Sequence, residues 1–171
     1  AGLDVPSDQS YVYFMRHNLF AGLDIDLNNT NIENGKAADR QAECKRYDKV
    51  LSELRQDVQV LGIGSNGHIA FNEPGTPFDC TTHIVDLTES TIKDNSRLFK
   101  SIDEVPRQAF TMGPANIMNA KKILIIATGK NKAKAVYGLV KGKVTPELPA
   151  SILQKHADCV LICDKEAASL L

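Results

Sequence analysis

Residues 58–68 read VQVLGIGSNGH, a short apolar run that ends in a glycine-rich turn. An apolar run of this length, closed by glycine, is typical of a strand that is buried on both faces of a parallel sheet. In open α/β sheets, ligands bind beyond the carboxyl ends of the strands. The turn that follows this strand is therefore the first candidate for a functional site.

Elements of alternating type surround this strand. Two amphipathic helices are predicted before it, one starting at Ser7 and one capped by Asp39. Their apolar stripes are Tyr11, Phe14, Met15 and Leu19 in the first helix, and Cys44, Tyr47, Leu51 and Leu54 in the second. After the strand, the pattern predicts strands at 82–87, 109–112, 122–128 and 159–164, and helices at 88–99, 113–120, 131–140, 149–154 and from 165 onward. This alternation predicts an α/β, Rossmann-like three-layer sandwich with a mostly parallel central sheet covered on both faces.

Length and charge narrow the classes of partner. The 171 residues fit a single domain, residues 1–171, with one core. The formal net charge is −1 and no run of five like charges occurs, so neither nucleic acid nor an anionic membrane is an expected partner. The longest apolar stretch, Ile123 to Ala127, is far shorter than the ~20 residues of a membrane span. We therefore expect a cytoplasmic protein with a small-molecule partner.

The four cysteines do not form a recognisable metal or disulfide pattern. Cys44, Cys80, Cys159 and Cys163 show no CxxC pair and no spacing typical of a zinc site. We therefore predict no metal site and interpret the cysteines, including the pair four residues apart, as free thiols in a reduced interior.

A dinucleotide site is a competing interpretation of the glycine-rich turn. Residues 62–67 match G-x-G-x-x-G, the match follows a strand, and Asp86 lies about twenty residues further on. A dinucleotide site, however, needs the third glycine to open a helix that faces the pyrophosphate. Pro74, Gly75 and Pro77 would stop any helix here after about one turn. The sequence therefore does not favour a dinucleotide.

The turn offers acid–base chemistry instead. Glycine lets the backbone approach a substrate closely, and a histidine such as His68 exchanges protons near neutral pH. Glu73, five residues further on across a tight turn, could orient or charge-tune His68. The alternative is that His68 and Asn72 only hydrogen-bond the loop while Glu73 is solvated.

A longer resemblance bears on this choice. Residues 61–75, LGIGSNGHIAFNEPG, closely resemble the active-site signature of the glucosamine-6-phosphate deaminase family. The resemblance continues through residues 11–20, 42–47, 95–99, 105–113, 129–133 and 149–156, and so covers essentially the whole chain. It implies a hydrolase of aminosugar catabolism that converts glucosamine 6-phosphate and water into fructose 6-phosphate and ammonia without a cofactor.

The resemblance also implies roles for individual residues. His68 matches the histidine that moves a proton during opening of the pyranose ring, and Glu73 matches the carboxylate of that relay. Asn66 stands where many members carry Asp; an amide can orient His68 but cannot stabilise an imidazolium as a carboxylate does. The active-site loop is expected to depend on Gly62, Gly64 and Gly67.

Phosphate binding is implied for two cations. Arg97 and Lys132 match the family's phosphate ligands, and a guanidinium fork and an ammonium both suit a sugar phosphate. Without the resemblance, each would be interpreted as a solvated surface charge. Arg97 also lies within residues 87–110, which resemble the family's mobile active-site lid.

Two departures from the family pattern are visible. By this resemblance, members begin with roughly sixty further residues that hold a phosphate loop and an Asp-Glu-Tyr motif, whose Asp is the general base between C2 and C1. Neither occurs in the 171 residues, so we expect this chain alone to be inactive. The second departure concerns regulation: His83 and Val85 stand where allosteric members carry cations that bind an activator phosphate, which predicts an unregulated enzyme. A phosphogluconolactonase, another sugar-phosphate isomerase and a non-catalytic fragment remain alternatives.

Overall fold

The computed structural model describes residues 2–3 and 7–171, and the chain forms two compact units. The first unit comprises Ala1–Val50 and Ile84–Phe110, and the second comprises Leu51–His83 and Thr111–Leu171. The glycine-rich turn lies in the second unit.

The described helices and strands follow the predicted order. The helices are α1 (Tyr11–Asn18), α2 (Arg40–Glu53), α3 (Glu89–Ser96), α4 (Pro114–Met118) and α5 (Ala133–Lys141), and the strands are β1 (Val58–Gly62), β2 (His83–Asp86), β3 (Gln108–Thr111), β4 (Lys122–Ala127) and β5 (Cys159–Cys163). Short 3₁₀ helices span Phe20–Gly22, Leu27–Asn29, Ile102–Glu104, Lys130–Lys132 and Pro149–Lys155. The alternation of strands and helices from β1 onward is thereby confirmed.

The second unit contains a three-stranded sheet in the order β1-β4-β5. Both pairs of strands are parallel, with Gly62 beside Ile126 and Ala127 beside Cys163. The α/β class and the parallel sheet are therefore confirmed, and the arrangement is Rossmann-like.

Two strands do not join this sheet. We expected β2 and β3 in the central sheet, but they pair with each other in a separate two-stranded sheet. The segment between them returns directly beside β2, and the Leu87 N–H donates to the Arg107 carbonyl oxygen at 2.9 Å. This pairing gives the facing backbone groups of both strands hydrogen-bond partners outside the parallel sheet.

One face of the parallel sheet forms the core of the second unit. Ile123 and Ile125 of β4 are fully buried, as is Val136 of α5. The cluster that they belong to also contains Leu61, Ile63, Ile69, Ile117, Ala120, Ala127, Ala135, Leu139, Ala150, Ile152, Leu153 and Ala167. Burial of these side chains is the main favourable contribution to folding of this unit.

The other face of this sheet is exposed, which corrects the prediction that helices cover both faces. Val58, Val60, Ile126, Val160 and Ile162 are between 43% and 58% exposed. They share one face because side chains alternate along a strand and the three strands are in parallel register. In the described part of the chain these five side chains therefore remain open to solvent.

Both helices predicted before β1 form, but α1 begins later than predicted, at Tyr11 and not at Ser7, whereas Asp39 caps α2 as predicted. The Oγ atom of Ser10 accepts the Tyr13 N–H at 3.1 Å at the start of α1. At the start of α2, an Asp39 carboxylate oxygen accepts the Ala42 N–H at 2.9 Å. The stripe of α1 is not buried, however, since Tyr11 is 63% exposed and Phe14 is 55% exposed.

The C-terminal helix predicted from residue 165 does not form. Residues 165–170 form turns. The Ala168 N–H donates to the Asp164 carbonyl oxygen four residues back, but the next N–H, of Ser169, donates to the Glu166 carbonyl oxygen only three residues back. A continuous α-helical ladder is therefore missing. Residues 149–155 are helical as predicted, but as a 3₁₀ helix.

The cysteines are free thiols, as predicted. Burial raises the pKa of the Cys44, Cys80 and Cys159 thiols, which reduces the share of reactive thiolate at neutral pH. Among the described residues, no helix has the length and apolar composition needed to cross a bilayer.

Candidate active site

The site begins where β1 ends and the chain closes a tight turn. The Gly64 N–H donates to the His68 carbonyl oxygen at 2.9 Å, and the Gly67 N–H donates to the Gly64 carbonyl oxygen at 3.0 Å. After Gly67 the chain makes an antiparallel bridge between Ile69 and Asn72 instead of opening a helix. This confirms that the turn lacks the helix that a dinucleotide site requires.

At two of the three glycines, Gly64 and Gly67, neighbouring side chains leave no room for a Cβ atom. A Cβ atom on Gly64 would lie 2.4 Å from the His68 ring, so the imidazole packs directly on this glycine. Gly67 has a φ of +86°, and a Cβ atom there would lie 2.8 Å from the Leu148 side chain. At Gly62, by contrast, nothing lies within 4 Å of such an atom, and a role for this glycine stays a prediction.

The turn brings together three of the predicted site residues, His68, Glu73 and Asn66. The His68 Nδ1 atom lies 3.6 Å from Glu73 Oε2, within ion-pair range but longer than a hydrogen bond. The Asn66 side-chain amide donates to the same Glu73 oxygen at 2.9 Å. Its carbonyl oxygen accepts the His68 backbone N–H at 3.1 Å. Asn66 therefore contacts the His68 backbone and the Glu73 carboxylate, and this carboxylate in turn faces the imidazole.

The Glu73 carboxylate is not a solvated surface group. Its side chain is 9% exposed, whereas the His68 side chain is 21% exposed. A carboxylate that is removed from water needs hydrogen bonds or charge partners. Asn66 and His68 are such partners, so the solvated alternative for Glu73 is wrong.

Asn72 and Thr111 anchor the loop that carries Glu73. Asn72 is fully buried, and its amide donates to the carbonyl oxygens of Ile69 and Met112, both at 2.9 Å. The Thr111 Oγ1 atom accepts the Phe71 N–H at 3.1 Å. The end of β3 therefore holds this loop in place. Nothing in the local sequence signals the contribution of Thr111, because 40 residues separate it from Phe71.

A second anchor comes from residues 145–151, which sequence reasoning missed. The Ala150 N–H donates to the Gly67 carbonyl oxygen and the Gly75 N–H donates to the Pro146 carbonyl oxygen, both at 2.9 Å. Leu148 packs where a side chain on Gly67 or Gly138 would stand. The apparently permissive glycine at 67 is thus part of a close packing contact.

Lys132 lies at the same edge of the sheet as the turn. It ends the 3₁₀ helix after β4, and its N–H donates to the Gly129 carbonyl oxygen at 3.0 Å. Because β1 and β4 are parallel neighbours, their carboxyl ends meet at one edge. His68 and Lys132 therefore both follow the carboxyl ends of adjacent strands.

Arg97 belongs to the first compact unit, whereas His68, Glu73 and Asn66 belong to the second. It is an exposed residue that caps the C-terminus of α3. Residues 87–110, which resemble a lid, fall within the part of that unit spanning Ile84–Phe110. Of the two residues considered for regulation, His83 in β2 donates its ring Nδ1–H to the Thr81 carbonyl oxygen at 2.8 Å.

Comparison with known proteins places this geometry in a family. The family model described as glucosamine-6-phosphate isomerases/6-phosphogluconolactonase matches residues 3–162. A glucosamine-6-phosphate deaminase from Streptococcus pyogenes serotype M49 (strain NZ131) is 56% identical over 170 residues, which are 99% of this chain and 72% of that protein. A deaminase from Lactococcus lactis subsp. lactis (strain IL1403) matches with the same identity and coverage.

Solved structures of the same family also resemble this chain. A monomeric glucosamine-6-phosphate deaminase superposes with a TM-score of 0.98 and 45% identity, over 100% of this chain and 71% of that one. A 6-phosphogluconolactonase from Trypanosoma brucei has a TM-score of 0.71 at 22% identity, over 99% of this chain and 70% of that one, and therefore shares the fold. The chain belongs to the family of glucosamine-6-phosphate isomerases and 6-phosphogluconolactonases.

Proposed function

We propose that this chain carries the ring-opening group and two phosphate-binding cations of a glucosamine-6-phosphate deaminase. The overall reaction converts glucosamine 6-phosphate and water into fructose 6-phosphate and ammonia. The observation that carries the proposal is the group of His68, Glu73 and Asn66 in the turn after β1, in a chain 56% identical to deaminases.

In this proposal His68 is the acid–base group for the cyclic substrate. Glu73 faces the Nδ1 atom at 3.6 Å and favours a proton there, which leaves Nε2 to exchange a proton with the ring. Asn66 holds the Glu73 carboxylate through its amide. Asn66 is therefore an orienting residue and not a titrating member of the relay.

Phosphate binding is assigned to Lys132 and Arg97. Both are cations with side chains suited to phosphate oxygens, and Lys132 lies at the functional edge of the sheet. Each would contribute binding in the ground state and in the transition state alike. Lys132→Ala and Arg97→Ala are therefore expected to raise KM more than they lower kcat.

Isomerisation also needs a base that moves a proton between C2 and C1. The family's Asp-Glu-Tyr motif does not occur in the 171 residues, and the chain spans 72% of its Streptococcus pyogenes relative. Loss of a general base typically costs about 10²–10⁴-fold in rate. The chain alone is therefore expected to release no measurable ammonia from glucosamine 6-phosphate.

A 6-phosphogluconolactonase is the second candidate, since such enzymes share the fold. The 6-phosphogluconolactonases are 17–22% identical to this chain, whereas the deaminases are 45–56% identical. A deaminase is therefore favoured on the level of sequence similarity.

The test uses a fusion in which the N-terminal segment of the Streptococcus pyogenes relative precedes residue 1. Ammonia release from glucosamine 6-phosphate and hydrolysis of 6-phosphogluconolactone are measured with the fusion and with the 171-residue chain. We expect deaminase activity from the fusion only. A folded fusion that hydrolyses the lactone and releases no ammonia would identify the second candidate.

A further inference from the structure

The segment that carries Lys132 is tied to the end of β5 by one carboxylate. Residues 128–132, here called the lysine loop, follow β4, and Asp164 directly follows β5. The Gly129 N–H donates to both carboxylate oxygens of Asp164, at 3.1 and 2.9 Å. The Ala167 N–H donates to one of the same oxygens at 2.7 Å.

The lysine loop has a geometry that needs such support. Gly129 has a φ of +88° and ψ of 152°, which only glycine adopts readily. Thr128 and Lys130 on either side of it are exposed, so apolar packing holds the loop weakly. The Asp164 carboxylate therefore holds the amide of the residue from which the 3₁₀ helix Lys130–Lys132 starts.

We propose that Asp164 is a positioning residue, which orients Lys132 for a phosphate group by fixing Gly129. This proposal rests on the proposed function, because it takes Lys132 as a phosphate ligand. Asp164 does not contact the phosphate itself, since a carboxylate would repel it. Its carboxylate instead accepts hydrogen bonds from the backbone N–H groups of Gly129 and Ala167. Charge-assisted hydrogen bonds of this type are strong.

The positioning role and simple charge repulsion predict opposite changes in phosphate affinity when the Asp164 carboxylate is removed. If Asp164 were only a negative charge near the loop, removing it would strengthen phosphate binding. If it positions Lys132, removing it weakens binding, because the loop must then be ordered when phosphate binds. Asp164→Asn keeps one acceptor oxygen, whereas Asp164→Ala keeps none. Asp164→Asn should therefore weaken phosphate binding less than Asp164→Ala does.

The chain also offers a matched control at the opposite end of the same strands. Asp158 lies just before β5, and its carboxylate pairs with Lys122 at the start of β4 at 3.3 Å. Asp158→Asn removes an equal charge and a comparable tie between the two strands. It leaves the lysine loop unchanged.

The experiment is a titration of the full 171-residue chain with inorganic phosphate at constant ionic strength. The Gly129 to Ala133 amide signals are followed by NMR, and melting temperatures are recorded in parallel. We expect saturable shifts in the wild type, their loss in Lys132→Ala, and roughly three- to ten-fold weaker binding in Asp164→Ala. Asp158→Asn should bind phosphate like the wild type.

Four outcomes would overturn the proposal. Unchanged phosphate affinity in Asp164→Ala with a lower melting temperature would assign Asp164 a structural role only. Tighter binding would mean that its charge merely repels phosphate. Both results leave the phosphate assignment of Lys132 intact, whereas saturable binding that survives Lys132→Ala, or no binding by the wild type, would remove that assignment as well.

Discussion

At the scale of single residues, the arrangement around His68 depends on small distances. The imidazole packs on Gly64 and its Nδ1 atom faces Glu73, which Asn66 holds from the other side. An acid–base group works only when its position and its protonation are both controlled. Substitutions at these residues should therefore affect the rate more than the binding of substrate.

The first prediction concerns His68→Gln in the fusion protein. Glutamine keeps polarity and approximate size but cannot exchange a proton, so kcat for the cyclic substrate should fall by roughly 10²–10⁴-fold. KM should change little, because the proposed phosphate ligands Lys132 and Arg97 remain. Steady-state kinetics of ammonia release measure both constants. A variant that retains the wild-type kcat, or that loses only folding yield, would show that His68 is a structural loop residue.

The second prediction compares two glycines of the same turn. Gly64→Ala would place a methyl group 2.4 Å from the His68 ring, whereas Gly62→Ala meets nothing within 4 Å. The first variant should displace the imidazole and lower kcat, and the second should keep most of the activity. The His68 ring proton signals report the displacement by NMR. Equal kinetics and equal spectra for the two variants would contradict this packing.

At the scale of elements, α2 shows how an ion pair between a buried carboxylate and an exposed guanidinium supports one compact unit. The two Glu43 carboxylate oxygens accept bonds from Arg46 at 2.7 and 2.8 Å, and one of them also accepts the Asn34 N–H at 2.7 Å. Glu43 is buried, so these partners compensate for its removal from water. The hydrogen bond from Arg46 holds the pKa of Glu43 below its usual range.

The third prediction is the pH dependence of this ion pair. A carboxylate with a lowered pKa in the folded state contributes stability that is present above its unfolded pKa of about 4.3 and is lost as the pH falls through the folded pKa. Glu43→Gln should therefore cost about 1–3 kcal/mol at pH 7, and less in acid.

Urea unfolding at pH 7 and pH 4 measures this difference, with Asp103→Asn as the control. Asp103 is 90% exposed and lies 3.8 Å from Arg107, so its loss should cost about 0–1 kcal/mol at either pH. A cost for Glu43→Gln that stays constant between the two pH values would argue against the ion pair as its cause.

At the scale of the whole molecule, the most unusual feature is the exposed apolar face of the β1-β4-β5 sheet. Parallel sheets are normally covered on both faces, and contiguous exposed apolar patches mark interaction or aggregation sites. Val60 is 58% exposed and Ile162 is 53% exposed on this face. The chain alone should therefore bind hydrophobic dyes and associate with itself at high concentration.

The fourth prediction tests this face with charged substitutions. Val60→Lys and Val160→Lys should reduce dye fluorescence and self-association without lowering the melting temperature, since both side chains are already in water. Tyr137→Lys, on α5, changes an exposed apolar residue away from this face and should leave dye binding unchanged. Unfolding of the Val60 variant, or equal effects of all three substitutions, would contradict an exposed face in solution.

The sequence by itself determined the class of fold, the order of the elements and the polar residues that the glycine-rich turn brings together. Periodicity, caps and glycine or proline punctuation act over a few residues, so β1, β4, β5 and the Asp39 cap of α2 could all be predicted. The proximity of Asn66, His68 and Glu73 is likewise local, because seven residues separate the outer two.

Only the tertiary structure decided how distant segments meet. Three contacts join residues that lie between 35 and 81 positions apart, and no local pattern encodes them. They are Leu148 with Gly67, Thr111 with Phe71 and Asp164 with Gly129. The same holds for the separate pairing of β2 with β3, for the exposed face of the parallel sheet and for the exposed stripe of α1. An apolar residue in a regular pattern can be buried, but whether it is depends on which element packs against it.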